Sequence, residues 1–213
     1  FRHTMKKLLL TATLLLAGAL GAMAQLTAAD AFTSAPQNIF PLLDRNTRLD
    51  MVDYVKSGLS TPSQNSLQGR SAITEISPES LTVKMSDSSA AQVAVLKGQK
   101  GDIIALISTV ATPGLDSSIR FFDSSWQPLD GAAMFTKPGW KEWLTDAGRD
   151  NKEEVTMQVP FMLASYRIDP ATSELTLTNN LARFLDKDVY SMIESYLRPS
   201  LTYSWNGKKF TAR

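Results

Sequence analysis

The sequence predicts an α+β fold: a largely antiparallel sheet built from successive hairpins, packed against two main helices at about residues 47–57 and 186–198. Three observations carry this. The run Ile103-Ile104-Ala105-Leu106-Ile107 is apolar at odd and even positions alike, so it reads as a strand covered on both faces. Apolar runs at 93–96 and 119–122 are joined to it through Gly98-Gln99-Lys100-Gly101 and Pro113-Gly114, connections short enough to imply an antiparallel meander. Nowhere does a crossover helix separate the strands, which disfavours a parallel sheet.

In chain order, Met5-Lys6-Lys7 gives a basic start, residues 8–17 an apolar stretch, and Ala22-Met23-Ala24 a small-x-small end. Those are the regions of a secretory signal peptide, expected over 1–24 with cleavage before Gln25 and with Phe1-Arg2-His3-Thr4 upstream of its start. A membrane span is disfavoured because Gly18 and Gly21 interrupt the stretch and no basic stop follows. Residues 25–213 read as one α+β domain with no transmembrane segment. The helix-then-strands order occurs twice, suggesting two related halves meeting near 127–150, with no residue-level repeat behind it.

A short helix is expected over 28–33. The capping-box spacing Thr47-Arg48-Leu49-Asp50 starts the first main helix, Met51, Val52 and Val55 share a face, and Gly58 ends it. Residues 59–69 are a solvated loop, and 71–76 pairs with Leu81, Val83 and Met85 as a hairpin. After the meander, 127–131 turns and 138–144 forms a short helix with Trp140, Trp143 and Leu144 on one side. Residues 146–154 read as a polar, acidic loop and Val155, Met157 and Val159 as a strand broken at Pro160. Residues 161–168 continue extended, and Asp169-Pro170-Ala171-Thr172 turns into a strand carrying Leu175 and Leu177. The helix at 186–198 presents Val189, Met192, Ile193, Tyr196 and Leu197, and Pro199 ends it. Asn206-Gly207 predicts a two-residue hairpin turn pairing Trp205 with Lys208 and Tyr203 with Phe210.

Composition bounds the chemistry. With Arg2, Lys6 and Lys7 gone from the 22 basic side chains, 19 face 21 acidic ones, a formal net of −2 that gives no electrostatic case for nucleic acid. There is no cysteine, and the lone histidine, His3, falls in the leader, so thiol and imidazole catalysis and the usual zinc sites are not expected. A carboxylate pair remains. Asp50 and Asp53 lie on one helical turn but read as cap and solvated face, and Asp146, Asp150, Glu153 and Glu154 lack calcium-loop spacing, as does Asp44-Arg45-Asn46. No metal or cofactor is expected. Trp126, Trp140 and Trp143 cluster around a Pro/Gly-rich turn, where they either pack the core or stack on a sugar or protein partner. Core packing is the more common fate of such rings.

Four stretches resemble an uncharacterised family of exported Bacteroidales proteins, domain of unknown function 3256. They are the run from Pro41-Leu42-Leu43-Asp44-Arg45-Asn46 to Asp53-Tyr54, the run Ile107-Ser108-Thr109-Val110-Ala111-Thr112-Pro113 with Asp116-Ser117, Phe122-Asp123-Ser124-Ser125-Trp126, and Tyr203-Ser204-Trp205-Asn206-Gly207-Lys208-Lys209-Phe210. The resemblance implies a Gram-negative, exported, single-module protein and supplies no catalytic residues. The expectation is therefore a non-catalytic binding module of the periplasm or cell envelope, its partner an envelope protein or glycan. Two alternatives are a carrier holding an apolar ligand in a curved sheet under a helix lid and a carboxylate-dependent hydrolase.

Overall fold

Helices α1 (Ala28–Ser34) and α2 (Arg45–Lys56) come first, followed by β1 (Ser63–Gln64), β2 (Arg70–Ile76), β3 (Ser80–Ser86), β4 (Ser89–Gly98), β5 (Gly101–Ala111) and β6 (Leu115–Asp123). Four short helices follow: α3 (Gly131–Met134), α4 (Trp140–Trp143), α5 (Asp146–Asp150) and α6 (Lys152–Gln158). The chain ends with β7 (Ala164–Ile168), β8 (Glu174–Asn179), α7 (Lys187–Ile193), β9 (Ser200–Trp205) and β10 (Phe210–Ala212). The computed structural model describes residues 25–59, 61–111 and 113–213, so the expected leader over 1–24 lies outside the described residues. Strands β1 to β6 form one antiparallel meander, and β10-β9-β8-β7 form a second antiparallel sheet.

The two-faced apolar run explains the layering. On β4 and β5, Val93, Val95, Ile104 and Leu106 face α1 and α2, whereas Ala94, Leu96, Ala105 and Ile107 face the second sheet. The order is helices, sheet, sheet. The helix-side core adds Phe32, Phe40, Met51 and Trp126, and the inter-sheet core adds Phe121, Phe135, Tyr166, Leu175 and Leu177. A third cluster, Leu144, Val155, Val159, Leu181, Ile193 and Leu197, holds the short helices together.

Two buried polar groups fasten these layers. Arg48, 1% exposed, donates from Nη1 to Phe32 O at 2.9 Å and from Nη2 to Ala35 O at 2.7 Å, tying α2 to the carbonyl end of α1. Burial pushes its guanidinium pKa down. Strand β7 is an edge strand whose free amides are met by side chains of the first sheet. Ala164 N donates to Asp116 Oδ1, Tyr166 N to Ser117 Oγ, and Ile168 N to Gln92 Oε1. Gln92 Nε2 returns a bond to Ile168 O at 2.7 Å, so a side-chain amide does the work of a neighbouring strand.

Four expectations differ in detail. Helix α2 starts at Arg45, because Asp44 accepts the Thr47 amide at 2.7 Å and is the cap in place of Thr47. Its end is as expected: Gly58 sits at φ 76, with Gly58 N bonded to Val55 O and Leu59 N to Tyr54 O. The expected loop and strand over 146–159 are helices α5 and α6. Val155 in α6 and Val159, the extended residue that ends it, are both buried, while Met157 is 83% exposed on the opposite side of the helix from Val155. The helix expected over 186–198 is α7 followed by a 3₁₀ turn over Glu194–Tyr196; Met192 is 56% exposed and Leu197 pairs as a β-bridge with Leu144. Finally, Trp205 pairs with Phe210 and Tyr203 with Ala212, so the last hairpin has a four-residue loop. The Asn206 carboxamide oxygen accepts from both Lys208 N and Lys209 N, which holds the longer loop closed.

Candidate functional site

The three tryptophans do not meet on a surface. Trp126 is 5% exposed in the helix-side core, its Nε1 donating to Ala31 O at 3.1 Å and its ring against Phe122 and Phe40. Trp143 is 2% exposed in the inter-sheet core, and Trp140 is half-buried beside it. Asp50 and Asp53 lie on the exposed face of α2. Among the described residues, no group of three or more acidic or histidine side chains is placed to hold a metal. The carboxylates that depart from their ordinary range, Asp44, Asp87 and Asp169, all go down. Backbone amides lead the effect for Asp44 and Asp169, and the Lys84 ammonium for Asp87. A general acid needs the opposite shift.

What the fold does bring together is a cleft of about 620 Å³ along strand β9. Its floor is Ser200, Leu201, Thr202 and Tyr203, with Thr176 of β8 paired to Thr202. One wall is α4 and α5, contributing Lys141, Glu142 and Arg149; the other is Arg213, just past β10. Helix α4 reaches this position because Leu144 bridges Leu197 and Arg198 N donates to Trp143 O at 2.8 Å. Gly148 lets α5 close in, since a Cβ there would lie 2.2 Å from Tyr196 O.

The charges of the cleft are unequal. Lys141, Arg149, Arg198 and Arg213 line it against Glu142 and Glu174. Glu174 is paired with Arg213, Arg149 with Asp146, and Glu142 accepts the Gly139 amide at 2.8 Å as a helix cap. That leaves Lys141 and Arg198 without a carboxylate in salt-bridge range among the described residues. Burial, and then the Glu142 carboxylate, raise the Tyr203 phenol pKa at the cleft floor. The arrangement is a polar trough with hydroxyls below and, at its rim, Lys141 and Arg198, the latter donating from Nε to Leu144 O at 3.3 Å. The helix α7 packs on the third cluster through Ile193.

No sequence signal pointed to this site. Its cations are scattered over 141–213; Lys141 and Arg149 reach Arg198 through the Leu144–Leu197 bridge and the main-chain bonds beside it, a short pairing between segments without strand pattern.

A family model described as "Protein of unknown function (DUF3256)" matches residues 19–210. The chain is similar in fold to a solved domain of an uncharacterized protein from Porphyromonas gingivalis W83. The two share a TM-score of 0.74 and 17% identity, over 86% of this chain and 97% of that one. No curated protein matches the chain.

Proposed function

The chain belongs to this family of unknown function, and from that premise we propose that it is an exported, non-catalytic binding module of the cell envelope that holds an anionic ligand in the β9 cleft. The observation carrying the proposal is the pair of cations, Lys141 and Arg198, that have no carboxylate in salt-bridge range among the described residues and stand beside a row of hydroxyls on β9 and β8. Cations at a rim attract an anionic partner and fix its register, while the Ser200, Thr202 and Thr176 hydroxyls donate or accept as the ligand requires. Both carboxylates of the cleft already have structural tasks, which favours holding over hydrolysis. The export assignment rests on the three-part N-terminal pattern. Among the described residues, no helix is long and apolar enough to cross a membrane.

The test is equilibrium binding of acidic peptides and acidic oligosaccharides to the wild-type chain and to Lys141→Glu/Arg198→Glu. The proposal expects saturable binding that weakens with salt and is lost in the double variant at unchanged melting temperature. Binding that survives both charge reversals, or no binding by any acidic ligand, would overturn it.

A further inference from the structure

We infer that the fold holds a second ligand site, a slot between β6, β7 and the segment 131–137 that takes a small single-ring carboxylic acid. The ring lies among Ile119, Phe121 and Phe135, the Tyr166 hydroxyl bonds an oxygen on the ring, and the Lys137 ammonium meets the carboxylate at the mouth. This site is independent of the β9 cleft. Its volume is about 310 Å³, and the described residues that line it fall between Ser117 and Tyr166. That is the lower end of the range for small-ligand pockets, about 300–1,000 Å³. Alternation along β6 turns Ser117, Ile119 and Phe121 to one face, toward the second sheet. Phe135 stands edge-on to Tyr166, ring centroids 6.0 Å apart. Gly131 keeps the slot empty: its backbone is not left-handed, and a Cβ there would meet only Phe121 Cδ2, at 3.8 Å. A side chain would therefore fit at this position, and its absence leaves room in an otherwise packed interior.

The polar groups of the slot are few, and they differ in how far they are committed. Ser117 Oγ already accepts the Tyr166 amide at 3.0 Å and shares a proton with Thr109 Oγ1 at 2.7 Å. Tyr166 is 6% exposed, yet among the described residues its hydroxyl has no hydrogen-bond partner. Every described side-chain oxygen that is sealed from solvent is bonded, so this hydroxyl reaches open space, and the slot is the space that Tyr166 lines. Burial, then Asp116 and then Tyr203, keep it protonated to about pH 12, so it offers a donor and selects an acceptor. At the mouth Lys137 is exposed, with no carboxylate in salt-bridge range among the described residues. A ligand that suits this arrangement is flat and apolar in the middle, carries one acceptor inside and leaves its negative charge at the surface. A sugar would bring several hydroxyls against apolar walls with a single donor to meet them.

The experiment titrates the full chain with 3- and 4-hydroxybenzoate, with benzoate, which lacks the ring oxygen, and with 4-hydroxybenzamide, which lacks the charge. Binding is followed by the ring signals of Phe135 and Tyr166 in NMR spectra. Expected is saturable binding of a hydroxybenzoate, with benzoate about tenfold weaker in the wild-type chain. Tyr166→Phe should weaken the hydroxybenzoate to the level of benzoate and leave benzoate unchanged, and Lys137→Gln should remove the advantage of the acid over the amide. Gly131→Leu fills the slot, so it should abolish binding of all probes at an undiminished melting temperature. No saturable shift with any ring acid, binding that survives Gly131→Leu, or equal affinity for benzoate and both hydroxybenzoates would overturn the site. Shifts at Ser200 and Thr202 in place of Phe135 and Tyr166 would put the probe in the β9 cleft and overturn it as well. Should Gly131→Leu not fold, the comparison of hydroxybenzoate with benzoate in Tyr166→Phe still decides.

Discussion

Replacing Gln92 with Leu tests how the two sheets are joined. Gln92 is 6% exposed and bonds Ile168 O at 2.7 Å, Ser80 Oγ at 2.9 Å, and the Ile168 amide, which donates to its Oε1 at 2.9 Å. Leu has similar volume but leaves the Ile168 N–H and C=O without partners at a residue 1% exposed. Each of the two buried orphans costs about 1–3 kcal/mol, and the apolar surface of Leu returns about 1 kcal/mol, a net loss of about 1–5 kcal/mol. With a urea slope of about 2 kcal/mol per molar, the unfolding midpoint falls by about 0.5–2.5 M. The control is an inter-sheet ion pair, Arg167 to Glu75 at 2.9 Å, where both side chains are more than half exposed. Glu75→Gln should move the midpoint by less than about 0.5 M, because exposed ion pairs contribute about 0–1 kcal/mol. Equal effects of the two substitutions, or a Gln92→Leu shift no larger than the control, would refute the claim that the buried amide seals the edge of β7.

Three further outcomes follow from particular residues. Trp126 adopts φ 62, so Trp126→Gly should be more stable than Trp126→Ala by about 1 kcal/mol in paired denaturation curves, against the usual order. Gly148→Ala places a Cβ against Tyr196 O and should lower stability by about 1–3 kcal/mol, measured by thermal unfolding, while shifting the amide signals of Lys141 and Arg149 at the cleft wall. Burial, then Asp116 and then Tyr203, raise the Tyr166 pKa to about 12. The unfolded chain ionises near 10 and the folded chain resists, so stability holds below pH 10 and falls by up to about 3 kcal/mol as pH rises toward 12. Tyr166→Phe should flatten that alkaline loss in pH-dependent urea titrations.

The large elements were legible because their patterns have one reading. A run apolar at every position from Ile103 to Ile107 has to be covered twice, and the structure covers it with helices on one side and a sheet on the other. Residues 155–159 mislead because positions two apart and four apart coincide at Val155 and Val159; only Met157 tells strand from helix, and its exposure depends on what packs nearby. Asn206-Gly207 signals a turn but not its length, which the Asn206 side chain sets by accepting two amides. The sequence leaves Trp126 open between core and surface because its burial depends on a left-handed backbone that Asp123 supports by accepting the Ser125 and Gln127 amides. The cleft was invisible for a different reason. Its lining comes from α4, α5, β8, β9 and the end of β10, segments far apart in the chain whose meeting leaves no local pattern.

The most direct measurement is amide hydrogen exchange across the chain, with and without a saturating acidic ligand. The account predicts that Ser200 and Thr202 gain protection while the already paired Tyr203 changes little, and that Lys141→Glu/Arg198→Glu abolishes the gain. Protection appearing instead around Gln37, Gln64 and Gln68, which line another cleft, would contradict it.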